Sequence, residues 1–311
     1  MATTVASSSA TSVAAGRPSA SDSLAHVPPR TSRGLWRDAW RRLVRNKLAM
    51  GGLVFIAFMV LVAVLADILP LADPTYQFPS SSYARPSAQH LLGTDEVGRD
   101  LLSRLVHGTR VSLSVAIFVQ ILILLIGLTI GGLAGFYGGR IDNWLMRFTD
   151  VFYAFPDLLF VIIITAALGA SIFNIFLAIG LVNWTDLARL VRGQLLSLRE
   201  RDFVTAARSL GAPAPRIIVQ HLLPNAAGPI IVRLTYGVPQ AIFTEAVLSF
   251  IGLGVRPPQA SWGTMIERGN QAIFSAPHLV LFPAIAIALT MLAFNFLGDG
   301  LRDALDPQNT R

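Results

Sequence analysis

Two acidic side chains stand inside stretches that are otherwise apolar: Asp157, directly after Pro156, and Glu245, in the run Gln240-Ala241-Ile242-Phe243-Thr244-Glu245. A carboxylate in such a setting must be paired, protonated or facing water, so each is a candidate for a wet translocation path that could receive an ammonium group. Each is also a candidate structural group. Pro156 removes a backbone donor and leaves carbonyls that a protonated Asp157 could satisfy, so the structural reading is preferred there. For Glu245 both readings stay open. A third set is Arg201-Asp202-Phe203-Val204-Thr205-Ala206-Ala207-Arg208-Ser209-Leu210-Gly211. Asp202 suits a helix N-cap. Phe203, Ala206, Ala207 and Leu210 recur at i, i+3, i+4 and i+7, which is one apolar face, while Arg201, Thr205 and Arg208 fall on another. Gly211 suits the residue after the helix, where a positive φ is cheap for glycine. Pro213 and Pro215 open a second helix, Arg216 to Leu223, which Pro224 is expected to close. A helix as short as the first does not hold in water alone. It must rest on lipid or in a groove of a partner protein. Alanines permit close approach and anchor poorly in lipid, which favours the groove.

Other chemistry is missing. Cysteine is absent, which excludes disulfides, thiolate metal sites and a cysteine nucleophile. Lysine occurs once, at Lys47 after Arg45-Asn46, so there is no G-x-x-x-x-G-K-[ST] loop and no ordinary P-loop ATPase. The histidines at 26, 90, 107, 221 and 278 show no ligand spacing. Neither a metal nor a cofactor is expected, and the chain does not read as an enzyme.

The elements that must position these residues are membrane helices. Of 311 residues, 53% are hydrophobic and 14% charged, against about a quarter charged in a soluble domain. The mean hydropathy is +0.58. Six stretches reach the roughly 20 residues a span needs: about 49–71, 111–136, 148–168, 172–191, 229–253 and 278–298. The fourth carries Asn183, Asp186 and Arg189 near its end. Gly127, Gly131, Gly132 and Gly135 in the second give small-xxx-small spacing, which favours close helix packing. Residues 1–34 are rich in Ala, Ser, Thr and Pro, and read as a disordered cytoplasmic tail. Residues 35–108 hold an interfacial helix with Trp36 and Trp40, the first span and an outer segment. Residues 109–300 hold the five further spans and a long inner loop at 192–228, and 301–311 form a C-terminal tail. Lys and Arg crowd the N-terminal tail, the 137–147 loop and 189–216, which places both termini in the cytoplasm. The net charge of +7 therefore reports topology rather than nucleic-acid binding.

Thr205-Ala206-Ala207 followed by Gly211, with Leu223-Pro224, resembles the EAA loop of ABC importer permeases. Thr205 stands where that family usually has Glu, and His221 where Ile is usual. His90-Leu91-Leu92-Gly93-Thr94-Asp95-Glu96-Val97-Gly98-Arg99-Asp100 is similar to the segment before the second span of dipeptide/oligopeptide permeases of the C type. Leu248-Ser249-Phe250-Ile251-Gly252-Leu253-Gly254 with Trp262-Gly263-Thr264-Met265 resembles their last outer loop, and Ala293 to Pro307 their C-terminus. The resemblance covers about 36–307. It implies an all-α membrane protein with the type I ABC importer permease fold, set in a bacterial inner membrane. It also implies four kinds of partner: the lipid bilayer, a homologous B-type permease, two cytoplasmic ABC ATPases and an extracytoplasmic peptide-binding protein. Asp202 to Gly211 would then be the coupling helix. The competing reading is an ion-coupled secondary transporter using Asp157 and Glu245.

Overall fold

Asn46 opens the first long helix by accepting from the backbone N–H groups of Leu48 and Ala49, both at 3.2 Å. This cap separates α1 (Leu35–Arg45) from α2 (Lys47–Leu65). The computed structural model describes residues 35–306 apart from residue 170. The expected N-terminal tail and the last five residues lie outside the described residues. The remaining helices are α3 (Leu101–Tyr137), α4 (Gly139–Tyr153), α5 (Asp157–Leu168), α6 (Ile172–Leu198), α7 (Asp202–Ser209), α8 (Ala214–Arg216), α9 (Leu223–Leu248), α10 (Trp262–Asn270) and α11 (His278–Leu305).

Four helical stretches are long and apolar enough to cross a bilayer outright: Lys47–Leu65, Leu101–Tyr137, Ala214–Leu253 and His278–Leu305. Two more crossings arise only if bent pairs count as one each: α4 with α5, bent by 81°, and the two halves of α6, bent by 42°. The third expected span, 148–168, is therefore not one rod. Pro156 disfavours helical backbone at Phe155 and supplies no N–H. Alone, the twelve residues of α5 rise about 18 Å, short of the roughly 30 Å hydrocarbon core. In α6 the bend falls where the Asn183 side chain donates to the Ile179 carbonyl at 2.9 Å, competing with the helix's own ladder.

The sequence-derived boundaries shift in three places. Asp100 caps α3 by accepting from Ser103 N–H at 2.9 Å, so one helix runs from Leu101 through the expected division at 108/109. Residues 301–305 belong to α11 rather than to a tail. Gly300 and Ala304 there are buried beside Ala39, Leu43 and Ala49, while Arg42 Nη1 donates to the Asp306 carbonyl at 3.3 Å. The second helix of the inner loop does not stop at Pro224. It passes through a π-helical turn at Ile217–Leu222 into α9. The widened turn accommodates the N–H that Pro224 lacks.

The α3–α6 seam confirms the glycine reading. A methyl on Gly131 would collide with the Ala188 carbonyl, and one on Gly135 would come within 2.8 Å of the Arg192 carbonyl. Gly127 faces Leu187 at 2.9 Å, while Gly132 lies off the seam with only Leu195 at 4.0 Å. The helix backbones thus touch, which no larger residue permits.

The segment between α2 and α3 is built around buried charge. Asp95 accepts from Val97 and Arg99 N–H at 3.1 and 2.9 Å and from Arg99 Nε at 2.6 Å. Glu96 Oε1 accepts from Arg99 Nη2 and from Arg268 Nη1 of α10, both at 2.8 Å. Gly93 and Gly98, with φ of +89° and +79°, turn the chain around this network. Arg110 Nη1 donates to Asp67 at 2.8 Å and holds that carboxyl below its ordinary range. Replacing Gly131 by Ala is expected to destabilise the chain by about 1–3 kcal/mol through the forced separation of α3 and α6. Gly193→Ala, where a methyl meets nothing within 4 Å, serves as the control. Thermal unfolding of the two purified variants in detergent checks the difference.

Candidate functional site

The short helix α7 sits at the end of the bundle where α3 and α6 finish. Arg199 Nη1, just beyond α6, donates to the Gly135 and Phe136 carbonyls at 3.3 and 3.4 Å, and the Arg208 guanidinium lies 5.6 Å from the centroid of the Phe136 ring. Asp202 is not the N-cap. Arg201 takes that position without a side-chain cap bond, and Asp202 is the first helical residue. There its charge still complements the helix dipole. The C-terminal end follows the expected chemistry in full. Gly211, at φ +76°, gives its N–H to the Arg208 carbonyl at 2.9 Å, and Ala212 gives its N–H to the Ala207 carbonyl at 3.1 Å. These are the two bonds of a Schellman stop.

The apolar face divides differently from the sequence expectation. Val204, fully buried, and Ala207, 8% exposed, tie α7 to the chain's own core with Ile217 and Leu222. Phe203 is 39% and Leu210 88% exposed, and Ala206 is exposed beside them. Asp202, Thr205 and Arg208 are also exposed. The helix is thus pinned on one side and offers an apolar strip, Phe203-Ala206-Leu210, on the other. Val204 was missed because it lies one step outside the i, i+3, i+4, i+7 pattern. Only the direction from which Ile217 packs distinguishes it.

The structure does not bring Asp157 and Glu245 together. Glu245 has no exposed surface, and its Oε1 accepts from Ser249 Oγ at 2.7 Å within the same helix. Asp157 is the first residue of α5, exposed at the α4–α5 break and within electrostatic reach of Asp186. Asp186 accepts from Arg233 Nη2 of α9 at 3.0 Å. Tyr236 donates to Asp299 of α11. Arg233, Tyr236, Gln240 and Thr244 recur at i, i+3, i+7 and i+11, one polar stripe along an apolar helix. Asn183 of α6 lines a hollow with Arg233, Gln240 and Thr244, and Asp186, one turn further along α6, pairs with Arg233. The i, i+3, i+7, i+11 spacing of this face is the signal in the sequence that marks it.

The bent and unbroken spans, the pinned short helix and the polar face together define a multi-pass membrane permease. Residues 127–311 match the family described as binding-protein-dependent transport system inner membrane component, and residues 34–86 match the N-terminal transmembrane domain of oligopeptide transport permease C. The chain belongs to this binding-protein-dependent permease family. It is 45% identical over 273 residues to the dipeptide transport system permease protein DppC of Alkalihalophilus pseudofirmus, covering 88% of this chain and 90% of that one. It is 44% identical to the oligopeptide transport system permease protein OppC of Bacillus subtilis, covering 89% and 91%. It is 40% identical to the glutathione transport system permease protein GsiD of Pectobacterium atrosepticum, covering 91% and 94%. Among solved structures, the MetNI methionine ABC transporter in an inward-facing conformation aligns with a TM-score of 0.52 at 18% identity, over 66% of this chain and 98% of that one. That likeness is one of fold, the type I ABC importer permease fold. The protein is an inner-membrane ABC importer permease rather than an ion-coupled secondary transporter, and its relatives are transport subunits rather than enzymes.

Gly211→Val is expected to cost about 1–2 kcal/mol, because a β-branched residue resists the left-handed backbone. A side chain there meets no neighbour within 4 Å, so the cost is conformational alone. Gly211→Asn should recover most of it, since Asn tolerates that region. Limited proteolysis between Ser209 and Pro213, alongside thermal unfolding, checks both.

Proposed function

We propose that this chain is one of two homologous permease subunits of an ATP-driven importer of dipeptides and oligopeptides, served by an extracytoplasmic binding protein. Two ATPases dock at the α7 end. The supporting observation is α7 itself: a helix too short to persist alone, pinned by Val204 and Ala207, with Phe203, Ala206 and Leu210 left uncovered. The excess of arginine in 189–216 supports a cytoplasmic position for this end. The absent P-loop assigns ATP hydrolysis to the partner subunits. Peptide cargo is supported by the names of the relatives, which carry dipeptide, oligopeptide and glutathione.

Coupling is conformational. ATPase closure moves α7, and the Schellman stop passes that motion through α8 and the π turn into α9. The spans then exchange two packings, and the protein contributes their difference in stability rather than bond chemistry. Asp202, Thr205 and Arg208 rim the docking strip as polar contacts. The translocation path runs along the Asn183, Asp186, Arg233 and Gln240 face, with Asp157 at its edge. Exposed ion pairs on spans are intolerable against lipid and reasonable against water or a partner subunit. Glu245 supports the path from behind, as a buried positioning group.

Ala206→Asp and Leu210→Asp place an unpaired charge in a dry groove, a penalty of about 1–3 kcal/mol at the docking surface. Each variant is expected to insert normally, to lose co-purifying ATPase and to lose uptake. Ala207→Asp is expected instead to lower the chain's own stability, because Ala207 is buried within it. A helix that merely rests on lipid would roll its aspartate into water and keep most uptake. Normal uptake by Leu210→Asp at normal expression overturns the coupling role.

A further inference from the structure

Two adjacent glycines near the start of α2 do opposite things. Gly52 lets α2 touch α11: a methyl there would come within 2.5 Å of the Ala293 carbonyl. A methyl on Gly51 would meet nothing within 4 Å. Beside the bare backbone of Gly51 runs a furrow of about 220 Å³, walled by Leu48, Phe55, Leu289, Leu292 and Phe296, with Lys47 at its mouth. The walls are accessible, since Leu48 is 62% and Leu292 46% exposed. From Lys47 to Phe55 the helix rises about 12 Å, close to half of the roughly 30 Å hydrocarbon core. Glycine inside a helix is less stable than alanine, and Gly51 serves neither a positive φ nor a packing contact. Its missing side chain keeps the furrow open, and an empty furrow forfeits dispersion contacts along both walls.

The mouth is positively charged. Lys47 is exposed, as are Arg41 and Arg45 shortly before it, and none of the three has an ion-pair partner among the described residues. Asn46 already accepts from the backbone N–H groups of Leu48 and Ala49, so the Lys47 ammonium is the donor on offer. We propose that this furrow holds one anionic phospholipid, with its phosphate on Lys47 and one acyl chain laid along Gly51 to Phe55 against Leu289 and Leu292. A lysine at the end of a span reaches headgroup depth, and Arg41 and Arg45 add to the field that draws a net negative headgroup. The acyl chain gains packing alone, because the surrounding tails are as apolar as the walls. Selectivity therefore lies in the headgroup, and residence in the furrow. The site depends on neither the cargo nor the ATPase docking proposed above.

The assembled complex is reconstituted in nanodiscs of equal parts phosphatidylglycerol and phosphatidylcholine, and its retained lipids are counted by native mass spectrometry. The wild type should hold one more phosphatidylglycerol per copy of this chain than Gly51→Leu, whose side chain fills the furrow. Gly51→Leu should melt as the wild type does, because the first atom it adds meets no neighbour. Lys47→Gln should lower the preference for phosphatidylglycerol over phosphatidylcholine at this site by about fivefold, the value of one cation near an anionic membrane surface. Lys47→Arg should retain it. Equal phosphatidylglycerol retention by the wild type and Gly51→Leu, or an unchanged preference in Lys47→Gln, overturns the site. A photoreactive substitution, Leu292→benzoylphenylalanine, identifies the occupant directly. A lipid adduct supports the proposal, and a cross-link to another subunit of the complex overturns it.

Discussion

Backbone-to-backbone contact between α3 and α6 is the constraint on which the rest of this bundle depends. In lipid there is no hydrophobic drive between helices, because the tails are as apolar as the side chains. Association then comes from close packing, and Gly127, Gly131 and Gly135 make it available by removing the side chains between two axes. The seam fixes where both helices end. Arg199 bonds across those ends to the Gly135 and Phe136 carbonyls, and α7 hangs from that corner. The exposed strip of α7 is thus attached to the corner where the two closely packed helices end.

The second structural theme is continuity along the fifth crossing. From Ala214 to Leu253 the chain is one helical stretch, although it carries Pro224, Pro229 and Pro239. Two π-helical turns, at Ile217–Leu222 and Ser249–Leu253, absorb the irregularity at its two ends. One end abuts α7. The other holds Glu245, hydrogen-bonded to Ser249. A single helical element thus joins the α7 end of the bundle to the opposite end. The polar stripe Arg233, Tyr236, Gln240 and Thr244 lies on the same helix.

The segment between α2 and α3 uses charge where the bundle uses glycine. Asp95, Glu96 and Arg99 are gathered on one short loop, Arg104 joins them from the first turn of α3, and Arg268 brings α10 to it. Removing one partner from such a set strands the others, which costs more than the pair contributes. The arrangement locks the entrance to α3 against α10.

By itself the sequence determined the class of this protein. Apolar runs of membrane length, an arginine bias between loops, one lysine and no cysteine leave few alternatives, and these are local or compositional facts. The Gly211 stop was equally legible, because a positive φ after a short helix is written in the glycine and the following prolines. So was the glycine seam, since small-xxx-small spacing is a property of one helix. What the tertiary structure alone decided is direction. Whether Val204 or Phe203 faces inward depends on where Ile217 arrives, and no pattern within α7 records that. Asp157 and Glu245 looked alike as lone acids in apolar runs. Folding put one at an exposed break opposite Asp186 and buried the other against Ser249, because Pro156 bends one crossing while α9 turns the other acid away from its polar stripe. Side-chain type is carried by the chain, but the face it occupies is set by neighbours distant in sequence.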